Sequence, residues 1–211
     1  MPPDSRRPCG TVHDFDALPV KDYCYLLGLY LGDGCISKKM NRVWKLRISL
    51  DKKYPGIIDS CRAAIDAVMP RQHASVDWQP QGCAVVGLYS KHWPCLFPQH
   101  GPGLKHRRPI KLEPWQLQLV EQATEDFVRG LIHSDGCRVI ANDRGVTSIR
   151  YHFTNHSEDI LGLFTDASIG STSPPGRDRP NTSSPSTARR PPRASTNSSD
   201  PSAEHHSPVN P

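Results

Sequence analysis

The chain has 211 residues, a formal net charge of +5 at pH 7, a pI of about 8.9 and 36% hydrophobic residues. That length suits one substantial domain or two small halves sharing a core, and no apolar run approaches the roughly 20 residues of a membrane span. The charge suits a nucleic-acid partner without demanding one. Without a span, and without a basic region followed by an apolar one at the N-terminus, a cytoplasmic or nucleoid location is expected, and the seven cysteines, odd in number and without a Cys-x-x-Cys, read as reduced thiols rather than a disulfide framework or a zinc ribbon.

Residues 1–19 are polar and carry Pro2, Pro3, Pro8 and Pro19, so a flexible N-terminal arm is expected. A helix should begin near Val20 to Asp22, with Asp22 as its cap, and run to Gly34. A hairpin follows, turning at 38–41 into a strand over 43–50. In that strand Trp44, Leu46, Ile48 and Leu50 alternate with Lys45, Arg47 and Ser49, giving one apolar and one basic face. A helix over 54–68 ends at Pro70, and strands over 73–78 and 83–89 follow. Residues 92–97 form a short helix or turn. His92 and Cys95 have a ligand-like spacing, but no second pair is placed beside them, so zinc is not expected. A loop over 98–109 carries the basic run Lys105-His106-Arg107-Arg108, with Lys111 just beyond. A single helix over 116–134 should come next, then a hairpin turning at 142–145. In its second strand Ile149, Tyr151 and Phe153 oppose Ser148, Arg150 and His152. Ser157, Glu158 and Asp159 should cap a helix starting near Ile160. From about Asp166 the composition turns to Ser, Pro, Thr, Arg and Asn, which cannot bury enough apolar surface to order itself.

Two stretches organise this order. LLGLYLGDG over 26–34 and VRGLIHSDG over 128–136 each read as an apolar helix ending in Asp-Gly. Each carries small residues four apart, Gly28 with Gly32 and Gly130 with Ser134. With one residue added in the turn, Leu46–Leu50 falls on Ile149–Phe153 and Ile57-Ile58 on Ile160-Leu161, so a helix-hairpin-helix unit occurs twice. Small residues one turn apart leave a flat strip, on which two helices pack backbone to backbone. Asp33 and Asp135 then meet at helix ends where the dipole disfavours a carboxylate. Such a matched departure from local rules suggests a shared divalent metal site. Asp-Gly is also an ordinary helix stop or hairpin turn, a reading that the duplication outweighs.

The paired motifs resemble those of the LAGLIDADG homing endonucleases in their single-chain, two-motif form. The match lies at Leu26 and Val128, Gly28 and Gly130, Leu29 and Leu131, and the two Asp-Gly pairs. The resemblance implies an α+β fold of two pseudo-symmetric αββαββα-type units, with antiparallel sheets packed about a central helix pair. The units would be 20–112 and an incomplete 113–165, followed by a disordered tail over 166–211 that a truncation or frameshift near 165–169 would explain. It also implies hydrolysis of double-stranded DNA, as in intron- or intein-type mobile elements, with Mg²⁺ (or Mn²⁺) on Asp33 and Asp135. A lysine ahead of the second motif would offset charge at the scissile phosphate, and Lys105 is favoured over Arg108 and Lys111. DNA contacts would come from Lys45, Arg47, Arg107, Arg108, Lys111, Arg150 and His152. The family's other acidic position is Leu31 here, and His133 in the second copy. A monomer associated with the nucleoid is expected, dimeric if the second unit fails to fold. A DNA-binding regulator without nuclease activity, or an inactive endonuclease remnant, is the competing reading.

Overall fold

A helix that is apolar on every side belongs in an interior, and the first motif helix is found there. In the computed structural model, which describes residues 9–171, α1 (Val20–Asp33) buries every residue from Tyr23 to Leu31. Its N-cap is Pro19, without a side-chain bond. Asp22, expected as the cap, lies instead in the first turn, where its charge still complements the positive end of the helix.

The chain leaves α1 directly into β1 (Gly34–Lys38) and returns as β2 (Trp44–Asp51). α2 (Pro55–Val68) buries Ile58, Cys61, Ala64, Ile65 and Val68, one stripe at helical spacing. β3 (Ser75–Trp78) and β4 (Cys83–Ser90) complete an antiparallel sheet in the order β1-β2-β4-β3. On its inner face Leu46 pairs with Leu88, Ile48 with Val86 and Leu50 with Ala84, and all six are buried. Arg47 and Ser49 point outward, so the expected alternation is realised.

After the short α3 (Trp93–Leu96) the chain crosses to the second copy through a 3₁₀ turn over Lys105–Arg107. The single helix expected over 116–134 is instead two, α4 (Pro114–Gln122) and α5 (Thr124–Asp135), broken at Ala123 with φ −139 and ψ 50. The Ala123 N–H is shared between the Leu119 and Val120 carbonyls. The Thr124 hydroxyl also donates to Val120 O at 2.8 Å, so the α4 ladder closes on a side chain. The break frees α5 to lie on α1 through Phe127, Gly130 and Leu131. α4 is held by a capping box between Glu113 and Gln116 and by a buried polar chain. In that chain Gln116 Nε2 donates to the Tyr23 hydroxyl at 2.8 Å, and the hydroxyl donates to Leu96 O at 2.7 Å.

β5 (Gly136–Asp143) and β6 (Val146–Phe153) form the second hairpin, and α6 (Glu158–Ser171) follows. Arg144 and Gly145 have φ of 53 and 90, the left-handed pair that matches strand twist in a two-residue turn. Gly34 lies opposite Ile48, and Gly136 opposite Phe153. These separations are 14 (48 − 34) and 17 (153 − 136), so the second hairpin is three residues longer, where the sequence comparison allowed one. The discrepancy of two preserves the face of every side chain. α6 continues through 166–171, which corrects the start of the expected tail; its remainder, 172–211, lies outside the described residues, as do residues 1–8. The arm expected over 1–19 is also corrected where described: Phe15 stacks on Trp115 at 3.8 Å, and Leu18 packs against the core. Among the described residues no helix is long and apolar enough to cross a membrane.

Candidate active site at the helix seam

Glycine lets α1 and α5 touch backbone to backbone. A Cβ on Gly28 would stand 2.5 Å from Phe127 O and 2.7 Å from Leu131 N, and one on Gly130 would stand 3.0 Å from Gly28 Cα. No side chain larger than hydrogen fits there without parting the helices. One turn later Gly32 faces Ser134 and the Asp135 carboxylate, whose Oδ2 lies 2.7 Å from where a Cβ would be. All four expected interface residues therefore lie on the seam. Beside the seam, His133 Nδ1 meets the Tyr25 hydroxyl at 2.9 Å, while the Arg129 guanidinium covers the Tyr25 ring at 4.5 Å. Leu31 is buried in the core.

The seam ends in two carboxylates and one ammonium. Asp33 is exposed to solvent, although the body of the protein encloses part of its carboxylate. Its enclosure and then the Asp135 charge push its pKa from 3.8 up to about 6, against the pull of Lys105. Asp135 is also raised, chiefly by burial, although Asn155 Nδ2 donates to its Oδ2 at 2.7 Å and Lys105 and His156 act in the opposite direction. Lys105 Nζ donates to the carbonyls of Tyr30, Leu31 and Gly32 at 2.6, 2.8 and 2.5 Å. It thus seals the negative end of α1. Burial lowers its pKa to about 8, with both aspartates resisting. Two carboxylates against one ammonium leave a site short of positive charge, and the donors are hard oxygens, so the residues fit a divalent cation such as Mg²⁺.

Each carboxylate opens into its own cavity. That of Asp135, about 500 Å³, is lined by Gly32, Lys105, His106, Asn155 and His156 among others. That of Asp33, about 460 Å³, is lined by Leu50, Tyr54, His133, Ser134 and Arg138 among others. The observed register makes Asn155 the counterpart of Leu50, each two residues beyond the strand partner of its motif glycine. Matching positions thus border the two cavities, one apolar and one polar. Asn155 was missed from sequence because its equivalence depends on the longer hairpin; the only signal was a polar Thr-Asn-His-Ser run directly after a strand.

The remaining expected contacts scatter over the surface. Arg47 is exposed on β2, and its neighbour Lys45 reaches Asp77 at 3.5 Å. Arg150 and His152 are exposed on the outer face of β6, with Arg150 paired to Asp143. Arg107 and Lys111 are exposed. Arg108 is turned to its own loop, donating to Gln99 O at 3.2 Å and to Gly103 O at 2.9 Å, so it shapes the connection rather than presenting a free cation. Comparison with models of known protein families and with curated proteins finds no match for the sequence.

Proposed function

We infer that the protein is a LAGLIDADG-type DNA endonuclease, hydrolysing phosphodiester bonds of double-stranded DNA with divalent metal. The observation that carries this reading is the glycine-mediated seam that sets Asp33, Asp135 and Lys105 at one end of two packed helices. Asp33 and Asp135 would hold Mg²⁺ or Mn²⁺. When bound, the metal supplies Lewis acidity to the phosphate and a more acidic water.

The chain's own residues perform the remaining work. Asn155 fixes the orientation of the Asp135 carboxylate. Lys105, locked on the α1 carbonyls, keeps a cation beside the aspartates and offsets charge that builds on the phosphate. Lys45 and Arg47 on one sheet, and Arg150 and His152 on the other, meet phosphates and base edges. Arg107 and Lys111, exposed on the connection between the units, add further cations. Binding should therefore weaken steeply with salt, and association with the nucleoid follows from the same charges.

The test is Mg²⁺-dependent cleavage of DNA taken from the gene's own chromosomal neighbourhood, with Asp33→Asn and Asp135→Asn as controls. Specific cutting that disappears in both variants supports the reading. Cutting that survives in either would remove the aspartates from the chemistry. DNA binding by a folded wild-type chain that never cuts would favour a regulator on the same scaffold.

A further inference from the structure

The sequence left His92 and Cys95 without a second ligand pair, and the fold supplies one. The N-terminal segment brings Cys9 and His13, spaced Cys-x₃-His, onto His92 and Cys95, spaced His-x₂-Cys. The Cys9 sulfur lies 3.0 Å from His13 Nε2 and 3.2 Å from the Cys95 sulfur. The His13 and His92 rings meet edge to face with centroids 5.0 Å apart. Ligand atoms of Cys9, His13 and His92 all fall within 4.8 Å of one another. His92 Nδ1 is buried and has no hydrogen-bond partner among the described residues, an arrangement that costs stability unless something binds it.

We propose that Cys9, His13, His92 and Cys95 hold a structural zinc ion. A tetrahedral ion with Zn–S of ~2.3 Å and Zn–N of ~2.05 Å sets ligand atoms ~3.3 to 3.8 Å apart, the widest spacing being that between two sulfurs. The two sulfurs at 3.2 Å need to open by only roughly half an ångström to reach that spacing. A disulfide would instead require them to close to about 2.05 Å. Two sulfurs and two imidazole nitrogens are a soft set that selects zinc over magnesium, so this centre is chemically distinct from the carboxylates at the seam. Cys95 stands outside the group of three, against the Cys9 sulfur, and as the fourth ligand it would leave no open position, making the centre a staple rather than a reaction centre.

The staple joins remote parts of the chain. Cys9 and Cys95 are 86 residues apart, and tying such a long loop is where a metal constrains the unfolded chain most. It would pin the N-terminal segment to the start of α3, whose far end leads into the connection carrying Lys105. The same segment continues through Phe15, stacked on Trp115 of the helix that opens the second unit. Loss of the ion should therefore loosen the arm and the connection while α1 and α5 stay packed.

The experiment is metal analysis of the full chain purified under reducing conditions, paired with cobalt substitution. About one zinc per chain, and on Co²⁺ exchange the visible absorption of a tetrahedral thiolate-bound ion, are expected. Cys95→Ser and His13→Ala should each lose bound zinc on desalting, whereas Asp33→Asn should keep it. The cobalt spectrum is read on the wild-type chain, so a variant that fails to fold does not blunt the test. A folded wild-type chain with no zinc and no tetrahedral cobalt spectrum would overturn the proposal. So would zinc retained by both ligand variants, or a Cys9–Cys95 disulfide found by mass spectrometry in the native chain.

Discussion

The two hairpins share one sequence pattern and meet different fates. On β2, Leu46, Ile48 and Leu50 are 0%, 0% and 4% exposed, whereas on the corresponding face of β6 Ile149 and Tyr151 are 55% and 56% exposed. The first hairpin is extended by β4 and β3, and α2 contributes its apolar stripe to the same core. Among the described residues the second sheet has only β5 and β6, and α6 reaches it chiefly where Phe164 stacks on Phe153 at 4.4 Å. Alternation and a turn suffice to form a hairpin, but burial requires neighbours. Each large apolar side chain taken from water contributes about 1.5–3 kcal/mol, so the first unit carries most of the stability and lends it to the second through α1.

The widest contrast should come from a matched pair of truncations. Leu46→Ala is expected to cost about 2–5 kcal/mol in urea unfolding, and Tyr151→Ala, at the equivalent place in the second hairpin, less than about 1 kcal/mol. Equal costs would mean that the second face is covered in solution. Gly28→Val forces the two units apart and should cost about 3 kcal/mol, with metal-dependent cleavage lost along with the approach of the carboxylates. Unchanged stability in that variant would refute the close seam.

Smaller effects distinguish the two cavities. Lys105→Met leaves three α1 carbonyls without their charged donor and should cost about 1–3 kcal/mol, while also slowing cleavage. Asn155→Ala should weaken the Mg²⁺ dependence of cleavage by about 10-fold, an effect with no counterpart at Leu50. A Mg²⁺ titration that does not move would leave Asn155 a purely structural residue.

The least effect is the pH response of the seam. Asp33 releases its proton near pH 6 when folded, against 3.8 ordinarily. The folded state therefore binds more protons between those values, and stability should fall as pH rises from about 4 to 6. Lys105, lowered to about 8 from 10.5, acts in the opposite sense, so stability is regained as pH climbs through that window. Metal-free Asp33→Asn should lessen the acid-side fall, leaving the part that belongs to Asp135, and melt a few degrees higher at pH 7, on the order of 2–4 °C. In the wild type Mg²⁺ should raise the melting temperature more at pH 7.5 than at pH 5. A flat profile between pH 4 and 6 would show that neither enclosure nor the Asp135 charge disfavours the ionised Asp33 carboxylate.

The parts of the site that could be read in advance are those written in short-range pattern. Glycines four apart announced the seam, Asp-Gly announced the helix ends, and the strand alternation placed Arg47 and Arg150 outward. Lys105 was favoured among three cations by resemblance alone. Its placement on the α1 carbonyls belongs to the fold, because a span of some 70 residues separates donor from acceptor. The helix break at Ala123 was hidden because helical periodicity continues through it.

Local chemistry thus decided the α+β character, the duplicated helix-hairpin unit and the identity of its two aspartates, since each depends on residues within a few positions of one another. Contacts between distant segments decided the rest. The three-residue difference in hairpin length made Asn155 the partner of Asp135. The packing of the arm brought Cys9 and His13 to His92 and Cys95. The number of strands beside each hairpin set which apolar face is buried. Those outcomes turn on which surfaces meet, and a one-dimensional pattern records the surfaces without recording their partners.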